Sequence, residues 1–215
     1  MPRSIPSLQS VAGPAVAMLQ IVDVPRGLRA LDALVKEAPV EVLAAGTVQC
    51  GHYLIAFRGE VEATERSFAR ASAIADGVTL DSVLVPDAEG RIVPAFRDGV
   101  VRAPSRSAGD ALGVVQSVAC PILLGAVDAA LKGARVDLVE LRVAEGLGGK
   151  ALATLWGDLA DVEAAIELAC AVITRKVEAG AAALAGATYS VIPNADDEVE
   201  RAVATGTRFF REWRG

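Results

Sequence analysis

The sequence predicts an α/β (α+β) fold made of two copies of one small domain in tandem. Two observations predict it: an internal repeat at an offset of about one hundred residues, and the same alternation of short apolar runs and amphipathic helices in both copies. Residues 15–43 align with residues 111–139 at an offset of 96, and 11 of 29 positions are identical. A repeat of this length exceeds the unit of a solenoid, so we interpret each copy as a domain.

The first copy begins with a short, nearly continuous apolar run, Val16–Val22, which is typical of a strand covered on both faces. Pro25 then stands where a first-turn proline belongs, and Leu28, Leu31 and Leu34 follow at helical spacing. The other elements predicted in this copy are a strand at 40–44, a strand at 53–57, a helix at 61–75 and a strand at 80–85.

The second copy repeats this order and adds a helix at its end. Its predicted elements are strands at 112–118, 136–142, 151–156 and 188–192, a helix at 121–133, a helix from 159 past 172, and a terminal helix at 196–213. The order β-α-β-β-α-β is the ferredoxin-like arrangement. We therefore expect a flexible tail at 1–14, a first domain at 15–96, a linker at 97–110, and a second domain with a C-terminal helix at 111–215.

Composition excludes several classes of partner. The net charge of −6 argues against nucleic acid, because phosphate binding needs a basic face. No apolar run approaches the roughly 20 residues of a membrane span, and the proline-broken N-terminus is not a signal peptide. Three scattered cysteines do not form a disulfide framework. We expect a cytoplasmic protein without a membrane or nucleic-acid partner.

Three motifs recur in both copies in the same order. Each has Asp-Ala-x-x-Lys in its first helix, a glycine-bearing loop, and a strand ending in Gly-Asp/Glu followed by an apolar residue. The last strand ends in Leu84-Val85-Pro86 in the first copy and in Val191-Ile192-Pro193 in the second, where it matches Val-x-Pro. This pattern resembles the bacterial microcompartment (BMC) shell domain, and its duplication resembles the non-permuted tandem-domain members of that family.

The resemblance implies a structural role. The tandem members form homotrimers that imitate a hexamer, so a pseudohexameric tile with a central pore is expected in the shell of a microcompartment. The pore would pass metabolites or electrons. The implied partners are other copies of the chain, other shell proteins edge to edge, and encapsulated enzymes.

The resemblance places the two glycine-bearing loops at the pore. The residues expected to line it are Gln49, Cys50, Gly51, His52, Glu145, Gly146, Leu147 and Gly148. Three copies of Glu145 would form an anionic ring. A nucleotide-binding role for the second loop is disfavoured, because this loop joins two strands instead of opening a helix. A surface histidine satisfied by a neighbour is the alternative for His52.

Cys50 leaves two interpretations open. Some tandem members hold a [4Fe–4S] cluster with three cysteine thiolates on the trimer axis, one from each chain. Here Gln49 holds the matching position and Cys50 follows it, so a small packed residue is the alternative. No cofactor is the main expectation. Cys120 and Cys170 fall on predicted helices and are expected in the core.

The resemblance also assigns a tile edge to Lys36, Lys132 and Asn194. Without it, each lysine would be one half of a solvated pair with the aspartate four residues earlier. No acid–base constellation is apparent, so we expect no enzyme activity. The alternative function is a duplicated ferredoxin-like regulator that binds a small ligand between the copies.

Overall fold

The computed structural model describes residues 14–98 and 103–208. Each copy folds into one four-stranded antiparallel sheet, as the sequence predicts. The first domain consists of β1 (Ala15–Ile21), α1 (Val24–Glu37), β2 (Glu41–Val48), β3 (His52–Gly59), α2 (Val61–Ile74), β4 (Thr79–Val85) and α3 (Ile92–Asp98). Its strands lie in the order β2-β3-β1-β4, which is the ferredoxin-like order.

The second domain repeats this topology with the strand order β6-β7-β5-β8. It consists of β5 (Ala111–Ser117), α4 (Cys120–Gly133), β6 (Asp137–Val143), β7 (Ala151–Gly157), α5 (Leu159–Glu178), β8 (Thr188–Ile192) and α6 (Asp197–Ala204). Within the described ranges, no helix has the length and apolarity that crossing a membrane requires.

Three elements differ from the sequence-based expectation. Strand β2 continues to Val48, which pairs with His52, so the predicted loop at 45–52 is shortened to a single turn. Helix α3 was not predicted, because its seven residues include Pro94 and two charged residues and show no clear helical pattern of apolar residues. The predicted terminal helix is also too long. Helix α6 ends at Ala204 and Gly206 follows with φ 83°, a glycine stop signal. Residues 209–213 of that prediction lie outside the described part of the chain.

Helices α1 and α2 cover one face of the first sheet. Leu19, Ile21 and Phe57 of the sheet pack there with Leu34 of α1. The opposite face, which carries Val16, Met18 and Ala56, packs against the second domain and joins one continuous core with α4.

Helix α4 therefore lies between its own sheet and the sheet of the first domain. Ten of its 14 residues are buried, whereas only three of the 14 residues of α1 are buried. The two helices occupy the same position in the repeat. They differ in burial because α4 packs against two sheets, whereas α1 packs against one.

Candidate functional site: the paired loops and the seam between the domains

The first candidate pore loop is a tight turn at Gln49–Gly51 between β2 and β3. Cys50 (φ 75°) and Gly51 (φ 80°) both lie in the left-handed region. Glycine adopts this conformation without steric cost, whereas a residue with a Cβ loses about 1–2 kcal/mol there. The turn therefore holds Cys50 in a strained conformation at an exposed position.

The second candidate pore loop, residues 144–150, joins β6 to β7. Gly146, Gly148 and Gly149 have φ values between 61° and 84°, which explains the glycine enrichment seen in the sequence. A Cβ at Gly149 would also stand 2.5 Å from Cys50 Sγ, so any other residue here would displace that sulfur. The missing side chain of Gly149 thus provides the space that the Cys50 sulfur occupies.

The two loops lie side by side in one chain. The backbone N–H of Gly148 donates to Gln49 Oε1 at 3.1 Å, and Cys50 Sγ rests against Gly149. The structure therefore brings together Gln49, Cys50 and Gly148, which the sequence analysis placed at one pore.

Gln20 of β1 links these loops to helix α4. Its side chain is fully buried; Oε1 accepts from Cys120 N at 2.8 Å and Nε2 donates to Gly149 O at 3.1 Å. These two backbone groups fix the orientation of the amide. The remaining amide hydrogen faces His52 Nδ1 at 3.2 Å, so Nδ1 is the acceptor nitrogen of that ring. His52 is thus a partner-satisfied histidine beside the loops.

Asp81 of β4 is the second buried polar residue on this seam. Its carboxylate accepts from Ile122 N at 2.7 Å, in the first turn of α4, and from Ser82 N at 2.8 Å. It also forms an ion pair with Lys176 of α5. Burial raises the pKa of Asp81, and the Lys176 ammonium and the two backbone amides oppose that increase.

Neither Gln20 nor Asp81 was predicted as a site residue from the sequence. Gln20 carried a signal, since the repeat places an identical Gln116 in the second copy, and a glutamine within an apolar strand needs a partner. No comparable indication existed for Asp81, because this residue has no acidic counterpart in the second copy. Its partners Ile122 and Lys176 are about 40 and 95 residues away.

Glu145 is paired within its own chain. Arg208 donates to its carboxylate, and both side chains are largely exposed. The positive charge of Arg208 partly neutralises the negative charge of the ring that three Glu145 residues would form. Gly146 and Leu147 form the tip of the same loop, where Leu147 N donates to Ala144 O at 3.1 Å.

The cysteines do not converge on a cluster site. Burial raises the pKa of Cys120 to about 12, as expected of a core residue. Burial also raises the pKa of Cys170, which is only partly buried and packs against the core instead of lying within it. In the part of the chain that the structure describes, no group of three or more His, Cys, Asp or Glu residues is arranged to hold a metal. One exposed thiol per chain, Cys50, is the sole candidate there. Its side chain is exposed, and its sulfur lies beside Gly149 of the same chain.

The two expected edge lysines have different surroundings. Lys36 pairs with Asp32 at 2.7 Å, and both side chains are exposed. Lys132 pairs with Asp128 at 2.9 Å and also donates to the carbonyl of Asp87, just after β4. Lys132 therefore joins the two domains of its own chain, whereas the same position in α1 faces solvent.

The third edge residue, Asn194, is exposed and follows β8 at the position that Asp87 occupies after β4. Its φ of 47° lies in the left-handed region, which asparagine tolerates better than most residues.

Comparison with known proteins gives a consistent result. The BMC domain family matches residues 15–88 and 111–195, so the domain occurs twice and each match begins at the first strand. The bacterial microcompartment shell protein PduT of Citrobacter freundii is 30% identical over 155 residues, covering 72% of this chain and 82% of that protein.

Solved structures agree on the fold. A microcompartment protein from Desulfitobacterium hafniense superposes with a TM-score of 0.70 and 29% identity, covering 87% of this chain and 98% of that one. A fused permuted hexameric shell protein of the RMM microcompartment superposes with a TM-score of 0.52 and 18% identity, covering 74% and 81%, which shows a shared fold. This chain belongs to the BMC-domain family as a tandem-domain shell protein, a structural component of a bacterial microcompartment shell.

Proposed function

We propose that this shell protein works as a homotrimer, in which three chains place six BMC domains in a ring and form a flat tile with a central pore. The observation that carries this proposal is the different burial of α1 and α4, two helices at equivalent positions of the repeat.

Helix α1 exposes the apolar positions that α4 buries. Leu28 and Val35 of α1 are 53% and 45% exposed. At the offset of 96, their counterparts are Leu124 and Leu131, which are 0% and 5% exposed. Val22, just before α1, is also exposed, whereas its counterpart Val118 is partly buried against the core. An apolar stripe of this kind indicates an unfilled contact.

The second sheet offers the matching surface. On β4, Asp81 is buried beneath α4 and Val83 lies against Gly125 of that helix, but the corresponding residues of β8, Thr188 and Ser190, are exposed. A contact that joins an open helix face to a different open sheet face is heterologous, and it closes into a ring when the rotation allows. Because each chain supplies two of the six domains, three chains complete the ring.

In this ring the two loops of each chain surround the pore. Gln49, Cys50, Gly51 and His52 come from the first loop, and Glu145, Gly146, Leu147 and Gly148 come from the second. We assign the pore to metabolite passage. We do not assign it to electrons, because the Cys50 sulfur packs against Gly149 of its own chain.

Tile edges would contact neighbouring shell proteins through Lys36, Lys132 and Asn194, and encapsulated enzymes would meet one face of the tile. We infer a structural protein without catalytic activity, as the family suggests. The regulatory alternative would need space between the copies for a ligand. Apolar side chains of α4 such as Leu123 and Val127 are fully buried in the core that joins the two copies.

The test is the substitution Leu28→Asp. Wild-type protein is expected to sediment as a trimer at micromolar concentration and to form extended sheets in negative-stain micrographs. Leu28→Asp places a charge in the apolar contact and should give a folded monomer without sheets. The control is Leu159→Asp, the same change at a leucine that is 38% exposed in the first turn of α5, where an acid is favoured. This variant should remain a trimer. A monomeric or dimeric wild type would refute the proposal.

A further inference from the structure

We propose that Gln116 is a binding residue for a second copy of this chain. It accepts a hydrogen bond from the backbone N–H of Val24 of the partner subunit and donates one to the carbonyl of Gly51 of the partner subunit. This inference rests on the trimer proposed above. It assigns the residue that holds the first pore loop of each chain at the joint between two chains.

The contact within the chain supplies the pattern. Gln20, on β1, binds both the first amide of α4, at Cys120, and the second loop, at Gly149 O. One amide side chain thus fixes both a helix start and a loop of the neighbouring domain. Because all of these groups are buried, leaving any of them without a partner would be costly.

Gln116 occupies the same place in the second sheet. Gln20 pairs across its strands with Leu54 and Asp81, and Gln116 pairs with Leu152 and Thr188. The Gln116 side chain is only partly buried, and it has no hydrogen-bond partner within residues 14–98 and 103–208. A glutamine that is bound in one copy and unbound in the other indicates a partner outside the single chain.

The groups that Gln116 would bind are available on the outer side of the first domain. At the offset of 96, the counterpart of Cys120 is Val24, the first residue of α1. The offset becomes 98 from the loops onward, since Tyr53 pairs with Ile21 and Ala151 pairs with Ser117, so the counterpart of Gly149 is Gly51. The first four N–H groups of a helix lack partners within the helix, and the side chain of the N-cap Asp23 accepts from Arg26 N rather than from Val24 N. Gly51 is exposed with φ 80° at the tip of the first loop.

The joint between chains depends on Gln116 more than the joint within a chain depends on Gln20. His52, which accepts the second amide hydrogen of Gln20, is replaced at the repeat position by Lys150, which has no acceptor. Asp81, the acceptor for α4, is replaced at the paired position by Thr188. Gln49, the acceptor for Gly148 N, is replaced by Leu147. Of the four polar side chains that hold the joint within a chain at its pore end, only Gln20 therefore has an identical counterpart, Gln116, at the joint between chains.

The test compares trimer dissociation of wild type and Gln116→Leu by sedimentation velocity, at one urea concentration chosen to dissociate part of the wild type. Losing two hydrogen bonds at each joint should raise the concentration for half-dissociation by about tenfold or more. Circular dichroism should show an unchanged fold, because the side chain has no partner within the chain. Lys150→Ala is the control for a contact of Gln116 with its own loop, and it should leave dissociation unchanged.

A double-mutant cycle tests the named partner. Val24→Pro removes the N–H that Gln116 would bind, and proline suits the first turn of a helix. The preceding Asp23 (φ −122°, ψ 106°) already has the extended conformation that a residue before proline adopts. Val24→Pro should weaken the wild-type trimer but have little further effect in Gln116→Leu. Fully additive effects would overturn the Val24 contact.

The outcomes separate this inference from the trimer itself. A wild type that is not a trimer refutes the proposed function. A trimeric wild type whose Gln116→Leu variant dissociates at the same concentration refutes only the role of Gln116. If Lys150→Ala weakens the trimer as much as Gln116→Leu does, the glutamine acts through its own loop, and the contact with the second copy is overturned.

Discussion

Replacing Asp81 tests whether a single buried carboxylate fixes helix α4 on the sheet of the first domain. Asp81→Ala removes the acceptor for Ile122 N, the acceptor for Ser82 N and the partner of the Lys176 ammonium. Asp81→Asn removes the charge but keeps a side-chain oxygen for Ile122 N. The two variants therefore separate the value of the charge from the value of the acceptor.

The magnitudes follow from burial. Removing one partner of a buried ion pair costs about 3–5 kcal/mol, and the low end applies here, because Lys176 is 32% exposed and keeps a bond to Ser82 O. We expect Asp81→Ala to cost about 3 kcal/mol, which lowers Tm by about 6–12 °C in a chain of this length. Asp81→Asn should cost about 1 kcal/mol, since losing the charge also removes its desolvation.

The pH dependence has a defined sign. Burial holds the pKa of Asp81 above the ordinary value of 3.8, so the folded protein binds this proton more readily than the unfolded chain. The stability that arises from this pKa difference is therefore fully present below pH 3.8 and is lost as the pH rises through the pKa of the folded state. Asp81→Asn lacks this dependence, so the wild-type advantage over Asp81→Asn should narrow with increasing pH.

Thermal denaturation followed by circular dichroism, at one protein concentration and several pH values, measures these differences. The reasoning fails if Asp81→Asn lowers Tm as much as Asp81→Ala, because the charge would then matter and the acceptor would not. It also fails if Asp81→Ala changes Tm by less than about 2 °C, since the seam would then not depend on this carboxylate.

Two further predictions concern the edge and the loop. Lys36→Asp should leave the trimer intact in sedimentation but abolish sheets in negative-stain micrographs, because it puts an acid beside Asp32 on the exposed edge. The control, Lys150→Asp, makes the same change in the second loop and should leave the sheets unaffected. Sheets of normal spacing from Lys36→Asp would contradict the edge assignment. Protein purified without oxygen and reconstituted with iron and sulfide should be colourless and free of iron, because the Cys50 sulfur packs against Gly149; visible absorption and iron that disappear in Cys50→Ser would instead establish a cluster.

Local patterns in the sequence were sufficient for most of the fold. The repeat at an offset of 96, the apolar run of β1 and the helical spacing after Pro25 depend on neighbouring residues, and the structure has the elements that they predict. The glycines of the second loop were informative for the same reason, since positive φ is a property of single residues. Helix α3 escaped detection because a seven-residue segment with a proline carries little periodicity.

The sequence by itself determined the duplication, the order of elements, the family and the positions of the two loops. Only the tertiary structure decided how equivalent residues differ. Lys36 and Lys132 share one motif, yet only Lys132 bonds to Asp87. Gln20 and Gln116 are identical, yet only Gln20 is bound within the chain. The physical reason is that local periodicity encodes each element, whereas the partners of these side chains are set by packing between segments that lie 45 and 100 residues apart in the sequence.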